Sequence, residues 1–98
     1  MDTEIANTIL QQMGGGGRIR AMTGAKQFVA HPDGVAFRFP NRRGANHVKV
    51  QLTAADDYVV TFTRIAGAKC TVVEEAAGVY AEDLKPMFER VTGLYLSL

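Results

Sequence analysis

The chain holds few groups able to do covalent or acid–base chemistry: two histidines, one cysteine and a single serine in 98 residues. His31 falls in a turn and His47 at the start of a strand pattern. No Cys-x-x-Cys or His-x-x-x-His spacing accompanies them, so no metal site is expected. Cys70 lies in an alternating apolar run, where a free cysteine behaves as a small buried hydrophobe; a nucleophilic thiolate would need a base and an exposed, electropositive setting. Ser97, the only serine, stands one residue from the last, which argues against a serine triad. Acids occur as neighbours at Asp56-Asp57, Glu74-Glu75 and Glu82-Asp83. Adjacent strand residues point to opposite faces, so Glu74 and Glu75 cannot share a site, and the other pairs suit a turn and a helix start. Gly14-Gly15-Gly16-Gly17 lacks the Lys-Ser or Lys-Thr that completes a phosphate loop, and Thr23-Gly24-Ala25-Lys26 lacks a strand–loop–helix context. The expectation is a non-enzymatic protein with no catalytic, metal-binding or cofactor-binding residue.

Basic residues are the more suggestive group. Residues 1–50 carry seven basic and three acidic side chains, net +4, while residues 51–98 carry four and seven, net −3. Such asymmetry points to an anionic partner for one surface, unless the fold intermixes the halves. Arg42-Arg43 is the only adjacent basic pair, in a polar loop Pro40–Asn46 where Gly44 permits close backbone approach. Guanidinium groups fit phosphate bidentately, as lysines do not. The candidate phosphate-contacting set is Arg18, Arg20, Arg38, Arg42, Arg43 and Lys49, with Arg38, Arg42, Arg43 and Lys49 expected to gather at one end of a sheet. Against this, a net charge of +1 falls far short of a typical nucleic-acid-binding domain.

The elements that position these residues follow from periodicity. Asp2 or Thr3 can cap a helix over Asp2–Met13, in which Ile5, Ile9, Leu10 and Met13 form one stripe, and Gly14 ends it. Gly14–Gly17 reads as a flexible joint and Arg18–Met22 as a short strand broken by Thr23-Gly24. Gln27–Ala30 and Val35–Phe39 read as strands joined by the turn His31-Pro32-Asp33-Gly34, with Gly34 supplying positive φ. His47–Thr53 alternates, Val48, Val50 and Leu52 inward. Tyr58–Ile65 follows, with Tyr58, Val60 and Phe62 inward, then Lys69–Glu75 with Cys70 and Val72 inward. A final helix spans Ala81–Thr92, with Leu84, Met87, Phe88 and Val91 on one face, Gly93 as its cap and Pro86 tolerated near its first turn. Leu94-Tyr95-Leu96 packs down as a tail.

These elements make one α+β domain over residues 1–98: an antiparallel sheet of four to five strands with an N-terminal and a C-terminal helix packed on one face. The other face would show Arg38, His47, Lys49, Gln51, Thr61, Thr63, Lys69 and Thr71. Phe37, Phe39, Tyr58 and Phe62 belong to the core, leaving Phe28, Tyr80 and Tyr95 as surface aromatics, too few for a base-stacking platform. No apolar run approaches the roughly 20 residues that span a bilayer. Asp2 and Glu4 replace the positive charge of a signal peptide, and one cysteine forms no internal disulfide, so a cytoplasmic protein is expected.

Several phrases carry a resemblance: Ile9-Leu10-Gln11-Gln12 leading to Gly14, Ala21-Met22-Thr23-Gly24-Ala25-Lys26, Leu52-Thr53 with Asp57-Tyr58, and Gly93-Leu94-Tyr95-Leu96-Ser97-Leu98. Together they resemble a family of small proteins of unknown function found in phage and prophage genomes. The resemblance spans most of the chain and implies a phage-related accessory protein; it implies no active site. The first functional reading is a protein-interaction module that self-associates or meets another protein through an exposed sheet face or edge. The alternative is a weak, sequence-independent binder of the nucleic-acid phosphate backbone that uses the basic loop and sheet face.

Overall fold

The computed structural model of the chain describes residues 4–42, 44–94 and 96. Helix α1, Glu4–Gln12, leads to α2, Gly16–Thr23; strands β1 (Lys26–His31), β2 (Gly34–Arg38), β3 (His47–Leu52), β4 (Tyr58–Ala66) and β5 (Lys69–Val79) follow, and α3 is Ala81–Thr92. The fold is α+β, with one five-stranded antiparallel sheet in the order β1-β2-β3-β4-β5. Every strand pairs with its sequence neighbour because each connection is short enough to return the chain alongside itself.

Alternation decides which side of the sheet is apolar. Val35, Phe37, Val48, Val50, Val60 and Phe62 share one side and are all buried. Phe88 of α3 lies against this side, its ring centroid 6.1 Å from Phe37, 5.1 Å from Phe39 and 6.4 Å from Phe62. Burying rings of this size is the main favourable term for a small domain. From α1, Ala6, Ile9 and Met13 enter the same core, and Gln12 Oε1 accepts a hydrogen bond from the Tyr58 hydroxyl at 2.8 Å. The caps expected at Asp2 and Thr3, and Tyr95 of the tail, lie outside the described residues; Leu96 is buried.

Four expectations need correction. Arg18–Met22 is helix, because the glycine run opens α2: Gly14 and Gly15 take φ of +113° and +97°, and Gly16 and Gly17 form the first turn. The helix stops at Gly24, φ +73°, after Thr23 turns its hydroxyl onto the Ile19 carbonyl at 2.6 Å. Gly34 has no positive φ; glycine is required because a Cβ there would sit 1.9 Å from the Val50 carbonyl oxygen. Pro86 is the sixth residue of α3, past its first turn. It therefore offers no N–H to the Glu82 carbonyl one turn back. Finally, Cys70 and Val72 are exposed, Val72 at 60%. Val73 is an extra residue against β4, since Phe62 pairs with Glu74 but Thr63 with Val72. A bulge of one residue reverses the phase of all that precedes it, so Lys69 and Thr71 leave the polar side and Cys70 and Val72 join it.

Candidate nucleic-acid interface

On the side of the sheet opposite the buried residues, Arg38, His47 and Thr63 stand side by side on β2, β3 and β4. Lys49 is two residues beyond His47 on the same side and pairs with Ala36 and Thr61. Lys26 completes the first row from β1, directly opposite Arg38. Two cations facing each other across a ladder repel. The irregularity that creates this pair is a bulge in β1. The register of Val29 with Ala36 would place Gln27 opposite Arg38, but Gln27 turns to φ +56° and Lys26 takes the place.

The loop from β2 to β3 brings a further cation. Arg42 lines an open hollow of about 730 Å³ together with Lys26, Arg38, Asn41 and Asn46. The loop is held from three directions. Asn41 Nδ2 donates to the Ala45 carbonyl at 2.8 Å and to the Thr92 carbonyl at 3.2 Å. Arg64 Nη1 donates to the Asn41 carbonyl at 2.6 Å and to the Gly44 carbonyl at 3.3 Å. Asn46 serves as a surrogate strand residue. Its main-chain N–H reaches the Thr63 carbonyl at 3.0 Å, its Nδ2 donates to the Ile65 carbonyl and its Oδ1 accepts from the Ile65 N–H, both at 2.8 Å. The carboxamide thus completes one more step of the β3–β4 ladder where the β3 backbone turns away. A loop anchored in this way presents Arg42 from a fixed base.

The electrostatics are one-sided. Among the described residues the ion pair formed is Arg90–Glu74, at 2.7 Å on the α3–β5 side. Lys26, Arg38, Arg42 and Lys49 form none. His47, half-buried in the middle of the row, has its pKa held below the usual 6.5, first by burial and then by the charges of Arg38 and Lys49. The imidazole is therefore neutral at pH 7, able to donate from one nitrogen and accept at the other.

Of the residues singled out from sequence, Arg38 and Arg42 meet at the hollow and Lys49 flanks them; Arg43 lies outside the described residues. Arg18 and Arg20 belong elsewhere, on α2. The Arg20 guanidinium covers the Phe28 ring at 5.2 Å, and Phe28 stacks on the core ring of Phe37 at 5.0 Å. Arg20 thus has a cation–π partner on the core side of β1. Phe28 is half-buried rather than a free surface aromatic. Lys26 is the site residue that sequence reading missed. Among the described residues no cluster of His, Cys, Asp and Glu could hold a metal ion, and no helix is long and apolar enough to cross a membrane. No family model, curated protein or solved structure matches the chain.

Proposed function

We propose that the chain binds the phosphate backbone of nucleic acid through this corner, without sequence preference and without catalysing a reaction. The observation that carries the reading is the direct opposition of Lys26 and Arg38, with Arg42 beside them in the hollow and no ion pair to any of the three among the described residues. Like charges held together on a rigid sheet cost stability in the free protein. A phosphodiester placed among them relieves that repulsion, and released counterions drive the association. Lys26 and Arg38 come from strands and Arg42 from an anchored loop, so little order has to be gained on binding. Neutral His47 and the Thr63 hydroxyl add uncharged hydrogen-bonding groups beside the cations. The only ring in these rows is half-buried His47, and Phe39 at the hollow is 2% exposed, so base stacking has no platform and sequence goes unread. The phage setting implied by the resemblance would supply such a polyanion.

The test is a salt titration of fluorescent single- and double-stranded DNA and RNA against the wild type, a Lys26→Ala/Arg38→Ala/Arg42→Ala variant and an Arg18→Ala/Arg20→Ala variant. Binding should appear at about 50 mM salt and weaken steeply as salt rises. The triple variant should lower affinity for every sequence alike and flatten the salt slope by up to about three units, whereas the α2 variant should leave both unchanged. No binding at low salt, or equal losses from the two variants, refutes the reading.

A further inference from the structure

We infer, resting on the reading of this corner as a phosphate site, that His47 couples phosphate binding to the uptake of a proton, so that the chain holds a nucleic-acid backbone more tightly in mild acid. The ring has the neighbours this needs. His47 stands opposite Arg38 of β2 and two residues before Lys49 on its own strand. Lys49 in turn stands opposite Ala36, whose methyl group is too short to separate Lys49 from Arg38. Facing residues of adjacent strands lie about 5 Å apart at Cβ, and diagonal ones about 7–8 Å. Arg38 and Lys49 are such a diagonal, and His47 is the residue both adjoin. A phosphodiester that accepts from the two cations therefore lies within about 4–6 Å of the imidazole, close enough for its negative charge to favour the protonated ring.

The surrounding groups are cationic or uncharged. From β4, Thr63 faces the ring, and Arg64 sends its guanidinium to the Asn41 and Gly44 carbonyls. From β1, Lys26 lies beyond Arg38 in the same row, and from the loop Arg42 shares the hollow with Arg38. On β5, two strands from His47, Cys70 lies opposite Ile65 and Glu75 opposite Thr61, whose hydroxyl donates to Glu75 at 3.0 Å. No carboxylate adjoins His47 in the paired rows. In the free protein, burial and the charges of Arg38 and Lys49 keep the ring from taking a proton near neutrality. A bound phosphate offsets those two charges and supplies the missing anion. The ring then takes its proton more readily in the complex than in the free chain. Linkage requires the converse: the protonated chain binds phosphate more tightly. Affinity therefore rises as pH falls, and a tenfold rise corresponds to an increase of about one in the pKa of the ring.

The experiment uses the whole chain and a fluorescent thymidine oligonucleotide, whose bases and phosphodiesters hold their charge between about pH 5.5 and about pH 8, at a fixed salt of about 50 mM. Carboxylates stay ionised over most of this range, which leaves the histidines as the groups that change. Wild-type affinity should rise about three- to tenfold from the alkaline to the acid end. His47→Gln should give a nearly flat pH profile. His31→Gln, altered at the far end of β1 opposite Gly34, should keep the wild-type rise. In nuclear magnetic resonance of the wild type, the His47 ring should titrate at a pH about one higher with the oligonucleotide bound than without it. That measurement needs no substitution, so it decides the matter even if His47→Gln folds poorly. Binding that ignores pH, equal loss of the rise in both histidine variants, or a His47 ring that titrates at the same pH free and bound overturns the inference and leaves the phosphate reading standing. Absence of binding at every pH overturns both.

Discussion

Replacing Asn46 with alanine tests whether one side chain holds the extended β4–β5 ribbon to the sheet. The carboxamide makes both hydrogen bonds of Ile65, donating to its carbonyl and accepting from its N–H, each at 2.8 Å. Alanine removes both partners and leaves a half-buried peptide group without protein contacts on that side. The net worth of one such bond is about 0.5–1.5 kcal/mol, and an unsatisfied donor or acceptor costs about 1–3 kcal/mol. Water reaches part of this edge, so the sum for the pair comes to about 2–4 kcal/mol, a large share of the 5–15 kcal/mol that is about typical of a small domain. Urea denaturation followed by tyrosine fluorescence would measure the loss. Amide hydrogen exchange would locate it: the Ile65 N–H should lose protection far beyond the global change, while amides of the β3–β4 ladder from Tyr58 to Phe62 should follow the global change alone. A loss below about 1 kcal/mol, or Ile65 protection falling only in step with the rest, would refute the role given to Asn46.

Gly34→Ala should cost about 2–4 kcal/mol, because its Cβ would lie 1.9 Å from the Val50 carbonyl oxygen and part β2 from β3; a near-neutral midpoint shift in denaturant would show that the strands separate easily. Phe88→Ala should cost about 3–5 kcal/mol, since a ring 1% exposed touches three other rings; a loss under about 1 kcal/mol would displace α3 from the centre of the core. His47 gives a pH dependence of fixed sign. Its folded pKa lies below 6.5, so the unfolded chain binds the extra proton first and stability falls as pH drops through and below 6.5. His47→Gln should remove that part of the acid slope, and a slope of the opposite sign in the wild type would mean that a carboxylate reaches the ring.

Much of the fold is legible because its regular segments are long enough to show a period. Val48, Val50 and Leu52, and Tyr58, Val60 and Phe62, alternate without interruption, and the Leu84–Phe88–Val91 spacing yields α3 with the same bounds in sequence and structure. Helix α2 escaped because it lacks a stripe. Its eight residues include two glycines, two arginines and few buried side chains, so local pattern carries almost no helical signal. A sign was nonetheless present. Thr92-Gly93 and Thr23-Gly24 end their helices identically, each threonine hydroxyl bonded to the carbonyl four residues back and each glycine in the left-handed region. The same dipeptide read as a cap after α3 and only as a break after Arg18–Met22, because periodicity had already named one segment a helix.

The basic corner was legible in its types and not in its membership. Alternation along β2 and β3 places Arg38 and Lys49 outward, and a Pro-Asn-Arg-Arg-Gly-Ala-Asn stretch reads as a loop on chemistry alone. Lys26 stayed hidden because a period of two holds only within an unbroken strand. Gln27 breaks it, and the extra residue brings a lysine, not a glutamine, across from Arg38. Val73 acts in the same way at the far edge: it turns Cys70 and Val72 outward, where regular pairing would have hidden them. Irregularities at both edges, Gln27 in β1 and Val73 together with a further shift between Ala76 and Val79 in β5, thus shape what the polar side of the sheet presents. One edge gathers cations that form no ion pair among the described residues, and the other exposes β-branched side chains. Deleting Val73 would remove the bulge with Glu74 still opposite Phe62 and Val72 still opposite Thr63, so Cys70 and Val72 should keep their faces and Cys70 should stay open to a thiol reagent; loss of that labelling would refute the reading of Val73 as the inserted residue. Deleting Gln27 would likewise leave Lys26 opposite Arg38, now in the regular register of Val29 with Ala36, so nucleic-acid affinity and its salt slope should hold while the positive φ is gone.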